Sequence, residues 1–449
     1  MTTVRRQLLD KIEDPRAFHQ SAHELRELQL QAARELFAER REQIPLLQKR
    51  AADAGVDEIR TLADLVPLLF SHTAYKSYPK AFLDQGRWAR LSQWLRTLTV
   101  QDVTQVDVAG VRDIDEWIER FWRAGFPLLA TSGTSGKCSL LPRTDADRQA
   151  AERHQYYTMG FQYPQRPARD RHFFYLGPRG GPNSGVDIGL IHAQQWGRPD
   201  SIHFLSDEPL RLADTLKMVE LRKRMAEGSA TPGEIAAAEA EAKERAARMA
   251  PRLAELTEKI IACRREPMFL TGQWAQHLQI IETARAMGVR DGEFHPESLI
   301  SAGGGVKGIA LPADYRERVD AFYGSVRRSS GYGMTEMLQT LSKCEAGRYH
   351  RAPGVILLVL DESGTQLLND RSDGVVAGRA AFLDLSCEAR WGGIISGDRI
   401  QVDCADSCPC GRSGPTVLDS IARFAPPGQD DHIGCAGTID AYIRGAIDA

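Results

Sequence analysis

Near the start of the chain, Leu25, Leu28, Leu30, Ala33, Leu36 and Phe37 recur at helical spacing between charged neighbours, which predicts an amphipathic helix within residues 1 to about 50. The same reading predicts further helices over Leu62–Leu69 and Trp117–Trp122. At Pro127 the pattern changes to a short apolar run that enters a Gly/Ser/Thr-rich turn. Residues 172–176 (HFFYL) and 300–302 read as short buried strands, each running into glycine, the rhythm of strand-to-loop units in an α/β sheet. Between about Asp207 and Arg265 the composition turns to Ala, Glu, Lys and Arg, with Thr231-Pro232-Gly233-Glu234 as a helix start, so a helical excursion is expected there. Its interleaved charges read as a solvated face. From Gly354 onward, VILLVLDESG, VVAGRAAFLDLS and IISGDRIQVD read as strands punctuated by turns, and a β-rich subdomain is expected.

Composition narrows this picture. A chain of 449 residues, 42% hydrophobic and 26% charged, has the core-forming material of an ordinary globular protein. Its 57 Lys and Arg against 60 Asp and Glu give no basic field for a nucleic-acid partner. No apolar run approaches the roughly 18 residues of a membrane span. The start, MTTVRRQLLDKIEDPRAF, carries acids where a signal peptide would be apolar, so the expectation is a cytoplasmic protein. Eight cysteines spread over this length suggest thiols or a metal site rather than a disulfide framework.

Four segments carry candidate chemistry. Thr131-Ser132-Gly133-Thr134-Ser135-Gly136-Lys137 combines backbone freedom, hydroxyls, N–H donors and a terminal cation, and reads as a phosphate loop. It is not Walker A, which would place glycine at 131 and Ser or Thr at 138, where this chain has Thr131 and Cys138. Gly303-Gly304-Gly305, after the apolar Leu299-Ile300, would let a flat ligand lie against bare backbone at a strand end. Tyr332, Thr335 and Glu336 in SGYGMTE offer an aromatic face, a hydroxyl and a carboxylate that could stack a base, touch phosphate and hold Mg²⁺. In Ser396-Gly397-Asp398, an acid at a strand–turn corner could accept both hydroxyls of a ribose. Each segment alone also reads as a turn.

In order and separation, TSGTSGK, GGG, YGMTE and SGD resemble the adenylate-forming superfamily of acyl-CoA ligases, peptide-synthetase adenylation domains and luciferases. GGGVK and Phe70–Pro79 (FSHTAYKSYP) are similar to the acyl-protein synthetase group, which includes the fatty-acid-activating subunit of bacterial bioluminescence, with phenylacetate-CoA ligases nearby. The resemblance implies ATP and Mg²⁺ as cofactors. Thr131, Ser132, Gly133, Thr134, Ser135, Gly136 and Lys137 would surround the phosphates, Gly303, Gly304 and Gly305 would border adenine, and Tyr332 would stack on it. Thr335 would touch phosphate, Glu336 would hold Mg²⁺ and Asp398 would bind ribose. The implied reaction is attack of a carboxylate on the α-phosphorus of ATP, giving acyl-AMP and pyrophosphate. His172, His192, Trp196, Gly272 and Trp274 fall where the superfamily forms its acyl pocket.

The chain also departs from that pattern. Arg423 and the pair Asp430-Asp431 are separated by six residues, and only 18 residues follow Asp431, so the C-terminal domain of the superfamily is expected to be essentially missing. Cys435, three residues after His432, is similar in place to the cysteine onto which acyl-protein synthetases take the acyl group; the other reading is a small buried residue. Cys404, Cys408 and Cys410, with Cys344 and His350, suggest structural zinc held by Cys344, His350, Cys408 and Cys410, with Cys404 as substitute for His350. The alternative is unligated thiols.

The expected architecture is therefore α/β: a helical part over 1–126, a nucleotide- and acyl-binding core over 127–353, a β-rich subdomain over 354–430 and a short tail over 431–449. The expected function is ATP-dependent activation of a small-molecule carboxylic acid, with transfer to a thiol of the chain itself, of an acceptor protein or of a carrier protein. The alternatives are an acyl- or aryl-CoA ligase, an enzyme adenylating an unusual oxyacid or using a nitrogen nucleophile, and a non-catalytic adenylate-binding subunit.

Overall fold

The computed structural model describes residues 3–131, 137–163, 166–303, 311–370 and 373–424. Of the expected site residues, Ser132, Gly133, Thr134, Ser135, Gly136, Gly304, Gly305 and Cys435 lie outside the described residues. Two compact units divide the chain: one takes Met1–Tyr157 together with Gly331–Ala449, the other Thr158–Ser330.

The first unit begins with helices. Ser21 accepts a hydrogen bond from the Glu24 N–H while the Glu24 side chain accepts from the Ser21 N–H, a reciprocal cap that starts the helix Ala22–Arg40. Leu25, Leu30, Ala33, Leu36 and Phe37 are buried as their spacing predicts. Leu28 is only half-buried, and Gln29 beside it is turned inward, because its amide donates to Pro353 O (2.8 Å) and Val355 O (3.1 Å). The helix expected at 62–69 is a 3₁₀ turn, Ala63–Leu68, with Pro67 inside it. Proline has no N–H to donate to a longer α-helical ladder. Asp113 caps Ile114–Arg123 by accepting from Glu116 N–H, and Trp117, Ile118 and Phe121 form its buried face. Three short strands belong to this half: β1 (Phe70–Ser71), β2 (Leu128–Ala130) and β3 (Leu140–Pro142), the last two pairing antiparallel.

The second unit is a five-stranded sheet with every pair parallel: β4 (Arg171–Pro178), β5 (Gly197–Ser206), β6 (Met268–Gln273), β7 (Leu299–Gly303) and β8 (Arg327–Arg328), in the order β5-β4-β6-β7-β8. Phe174, Leu176, Met268, Leu270 and Ile300 pack with Leu256, Ile260, Ile281 and Phe322 in one core. Phe173, Phe269 and Leu299 pack with Ala193 and Trp196 in another, so the sheet is covered on both faces. Strand order reverses between β4 and β6, and in such open sheets the crevice outside the carboxyl ends at the reversal is the place for ligands. There the backbones run close: a Cβ on Gly272 would stand 2.6 Å from Leu176 Cβ. The helical excursion is the pair Leu212–Ala226 and Pro232–Ala262, the second started by Thr231 and Glu234 in another reciprocal cap.

The chain then returns to the first unit through β9 (Gly331–Tyr332), β10 (Leu341–Lys343), β11 (Tyr349–His350), β12 (Val355–Leu360), β13 (Val375–Asp384), β14 (Gly393–Asp403), β15 (Thr416–Val417) and β16 (Ala422–Arg423). With β1 they make a nine-stranded sheet running β12-β13-β14-β15-β11-β10-β9. Strand β14 organises it, pairing with β13 along its length and, in turn, with β1 at Ile394–Ile395, β16 at Asp398–Arg399 and β15 at Val402–Asp403.

Candidate functional site

The phosphate-loop segment joins β2 to β3. Thr131 extends that pair beyond β2, its N–H donating to Ser139 O (3.1 Å) and its Oγ1 accepting from Ser139 N–H (3.0 Å). On the other side Lys137 donates from Nζ to Tyr78 O (3.1 Å). The Tyr78 hydroxyl accepts from Cys138 N–H (3.1 Å) and donates to Cys138 O (2.9 Å). Tyr78 is fully buried, edge-on to Trp94 at 4.8 Å, so the end of the loop is fastened to a rigid aromatic pair. Burial pushes the Cys138 thiol up to about 11, so it stays protonated near neutral pH.

Tyr332 and Asp398, 66 positions apart, meet: the tyrosine hydroxyl donates to Asp398 Oδ2 (2.9 Å). Asp398 Oδ1 pairs with Arg423 Nε (3.1 Å), which the β14–β16 register sets opposite it. The Tyr332 ring is buried, 6.3 Å from Tyr349 and 6.0 Å from Phe382 between centroids. Gly333 is required by a close approach, since a Cβ there would stand 2.6 Å from Thr340 Cγ2.

Thr335 and Glu336 follow directly. Arg143, one residue after β3, donates from Nη2 to Thr335 O (2.6 Å), and Arg390 donates from Nε to Pro142 O (3.2 Å). Glu336 is buried, 9% exposed, and burial raises its carboxyl above the ordinary value, opposed by the charges of Arg390, Arg143 and Lys76. After Glu336 the backbone is clamped. Asp384 Oδ2 accepts from the N–H groups of Leu338 (2.8 Å) and Gln339 (3.0 Å), and His154 Nε2 accepts from Thr340 N–H (3.0 Å). Burial pulls His154 down to about 4, so the ring is a neutral acceptor near neutral pH. Gly303 ends β7 in the second unit, where a Cβ would meet nothing within 4 Å.

Cys344, His350, Cys408 and Cys410 come together, their ligand atoms all within 4.8 Å of one another. Cys344 Sγ lies 3.9 Å from Cys408 Sγ, and Cys410 Sγ lies 3.4 Å from His350 Nε2. With metal–ligand bonds of about 2.3 Å to sulfur and 2.0–2.1 Å to nitrogen, a tetrahedron has edges of about 3.8 Å between sulfurs and about 3.6 Å between sulfur and nitrogen, so the donor set fits zinc. Two tight turns present the thiols: Cys344 N–H donates to Arg348 O (2.8 Å) and Cys408 N–H to Arg412 O (2.9 Å). Gly347 (φ 76°) and Gly411 (φ 82°) supply the left-handed conformation these turns need. Burial pushes the Cys408 thiol up to about 12, and burial with the nearby Arg412 charge pulls His350 down to about 4. Cys404 is not in this group; its thiol faces Val402 O at 3.9 Å.

Sequence reading alone missed Tyr78, Arg143, Asp384 and Arg390. Tyr78 lies within the quoted stretch Phe70–Pro79, but nothing in its spacing says that its hydroxyl holds Cys138. The other three are lone charged residues whose roles depend on segments far away in sequence, and they leave no local signature.

No family model matches this chain, and no curated protein does. Solved structures do share its fold. The chain is similar to 2-hydroxyisobutyryl-CoA ligase in the postadenylation state with R3-HIB-AMP, at 14% identity and TM-score 0.56, over 91% of this chain and 70% of that one. An open conformation of the same ligase, with 2-HIB-AMP and CoA, matches at 15% identity and TM-score 0.54, over 92% of this chain and 79% of that one. The α/β architecture described above is thus one that this chain shares, as a fold, with that ligase.

Proposed function

We propose that the protein activates a small carboxylic acid with ATP, forming acyl-AMP and releasing pyrophosphate, and passes the acyl group to a thiol. The observation that carries this reading is the meeting of Tyr332 with Asp398 and Arg423, together with a buried Glu336, four positions after Tyr332, whose carboxyl feels the charges of Arg390, Arg143 and Lys76. A nucleotide would suit those groups: Asp398 has further lone pairs to accept ribose hydroxyls, and Lys137 would supply a cation to the phosphates.

A carboxylate oxygen of the substrate attacks the α-phosphorus, the bond to the bridging oxygen breaks, and pyrophosphate leaves with that electron pair. Thr131 to Lys137 surround the phosphates with N–H, hydroxyl and ammonium donors, offsetting charge that builds up as the carboxylate attacks. Glu336 would hold Mg²⁺, which when bound supplies charge neutralisation on the phosphates. The fit is chemical: burial disfavours the charged form of this carboxyl, and a cation held beside it would offset that cost. Arg143 holds the backbone at Thr335, from which the hydroxyl and the Glu336 carboxylate would reach the nucleotide. Gly303 to Gly305 border adenine, and His172, His192, Trp196, Gly272 and Trp274 are candidates for the acyl pocket. Zinc on Cys344, His350, Cys408 and Cys410 would be structural. Cys435 is the candidate acceptor within the chain.

The test is pyrophosphate release with ATP, Mg²⁺ and a panel of aliphatic, aryl and amino acids, with hydroxylamine to trap the adenylate as hydroxamate. Acid-dependent pyrophosphate and a hydroxamate are expected. Their absence across the panel with ATP binding intact would sink the reading and favour a non-catalytic adenylate-binding subunit. CoA-dependent AMP formation unchanged by Cys435→Ala would assign the acceptor to CoA.

A further inference from the structure

Cys344 stands eight residues beyond Glu336 and Cys408 ten beyond Asp398. Both arms of the thiol cluster therefore grow out of segments assigned above to the nucleotide. The path from β9 through β10, β11 and β15 to β14 is stitched by very short pairings. β9 pairs with β10 over two positions, β10 with β11 over two, β11 with β15 over two and β15 with β14 over two. Ordinary strands run to about five or six residues. Pairings this short have few hydrogen bonds with which to hold their register.

Two features cross-link them. One is the cluster itself, which ties the ends of β10 and β11 to the loop between β14 and β15. The other is Tyr349, next to His350 in β11: its ring lies 6.3 Å from Tyr332 at an interplanar angle of 67°, and its hydroxyl donates to Asp419 Oδ1 (2.8 Å). Lys343, next to Cys344, donates to the other oxygen of Asp419 (2.6 Å). From the cluster to Asp398 there is thus a continuous run of His350, Tyr349, Tyr332 and Asp398, through one peptide bond, one ring contact and one hydrogen bond.

Resting on the nucleotide-site reading above, we propose that a zinc ion on Cys344, His350, Cys408 and Cys410 sets the nucleotide affinity of this chain, by holding Tyr349 against Tyr332 and so Tyr332 on Asp398. The ion contributes no ligand to ATP. Its effect is positional: it fixes β11, β11 fixes the Tyr332 ring, and Tyr332 orients the carboxylate that faces ribose. Tyr349 is a positioning residue on this path. It touches neither the metal nor the nucleotide.

The experiment compares full-length protein as purified with protein stripped by a zinc chelator and then freed of the chelator. It reads zinc content, thermal unfolding and the dissociation constant for ATP with Mg²⁺ restored. The expected results are one zinc per chain, at least about tenfold weaker ATP binding in the stripped protein, and recovery on adding zinc back. A second arm covers the case in which stripping unfolds the protein. Tyr349→Ala keeps all four ligands, so it should retain one zinc yet bind ATP at least about fivefold more weakly, whereas Tyr349→Phe, which keeps the ring, should bind more tightly than Tyr349→Ala. Equal ATP affinity in folded stripped and zinc-loaded protein overturns the proposal, and so does Tyr349→Ala with wild-type affinity. A chain that takes up no zinc refutes the metal assignment and the coupling with it, while leaving the nucleotide reading standing if ATP still binds. Failure of ATP to bind in every form refutes the nucleotide reading itself.

Discussion

Asp384→Asn is the sharpest test of how the segment after Glu336 is held. Asp384 is fully buried at the end of β13. Its Oδ2 accepts from the N–H groups of Leu338 (2.8 Å) and Gln339 (3.0 Å), and its Oδ1 accepts from Gln339 Nε2 (2.9 Å) and Ser386 N–H (3.0 Å). Asparagine has nearly the same shape but only one accepting oxygen. In its better orientation it keeps the Leu338 and Gln339 backbone bonds and turns an NH₂ group on the three donors at Oδ1: Gln339 Nε2, Ser386 N–H and the Ser386 hydroxyl. The hydroxyl can turn to accept and Gln339 Nε2 keeps Ser386 Oγ (3.2 Å), which leaves the Ser386 N–H orphaned at about 1–3 kcal/mol; with the lost Gln339 Nε2 bond and the loss of charge assistance in the bonds that remain, this gives about 3 kcal/mol of destabilisation. At roughly 2–4 °C per kcal/mol the melting temperature should fall by about 6–12 °C. Gln339→Ala is the control, because it removes one side-chain donor and leaves the backbone clamp intact, with an expected cost of about 1 kcal/mol. Thermal unfolding of the three proteins at one pH reads the comparison. If Asp384→Asn melts within about 2 °C of wild type, or no lower than Gln339→Ala, the carboxylate is not the clamp inferred from these distances.

Two further outcomes follow from the same geometry. Burial raises the Glu336 carboxyl above its ordinary 4.5, so the folded state binds that proton more tightly than the unfolded chain, and the group's contribution to stability falls as pH rises from 4.5 through the raised value. Glu336→Gln, neutral at all pH, should therefore melt above wild type near neutral pH in metal-free buffer, with the difference closing below pH 4.5, while losing Mg²⁺-dependent pyrophosphate release; a variant that melts lower at neutral pH contradicts the burial argument. In the second unit a Cβ on Gly272 would lie 2.6 Å from Leu176 Cβ, so Gly272→Val should cost about 1–3 kcal/mol by overpacking, and a denaturant midpoint equal to wild type would show that the strands give way there.

The sequence announced some parts of this molecule and hid others for physical reasons. Local signals located three helices: apolar spacing Ala22–Arg40 and Ile114–Arg123, and the Thr231-Pro232-Gly233-Glu234 start Pro232–Ala262. Apolar spacing failed at Leu28 and Gln29, because burial of a polar residue depends on acceptors more than 300 positions away. It failed again at 62–69, where Pro67 limits the turn to 3₁₀. The three cysteines and the histidine of the cluster could be picked out because ligand chemistry confines them to a few residue types. Cys404 drops out because the turn at Gly411 presents Cys408 and Cys410. Arg143 and Asp384 could not be read, since an arginine or aspartate has many ordinary surface roles.

This distribution follows from the lengths of the elements. Several residues assigned to chemistry sit in or beside strands two or three residues long: Thr131 after β2, Tyr332 in β9, Glu336 between β9 and β10, whereas Asp398 lies within the eleven-residue β14. Elements of that length gain little from their own ladders, so something else must fix their positions to the sub-ångström tolerance that group transfer demands. Here the fixing is done by buried polar clamps from elsewhere in the fold: Tyr78 on Cys138, Arg143 on Thr335, Asp384 on Leu338 and Gln339, His154 on Thr340. Such clamps are spread over some 300 residues of sequence, which is why motif spacing offers candidate reacting groups but not what holds them. A clamp variant should accordingly disturb two quantities together, since the same bond that satisfies a buried donor also aims a site residue. Stability lost at Asp384 or Tyr78 ought to come with a loss of ATP affinity at temperatures where the chain is still folded, whereas Gly272→Val, at a candidate acyl-pocket position, should lose stability without that fall in ATP affinity.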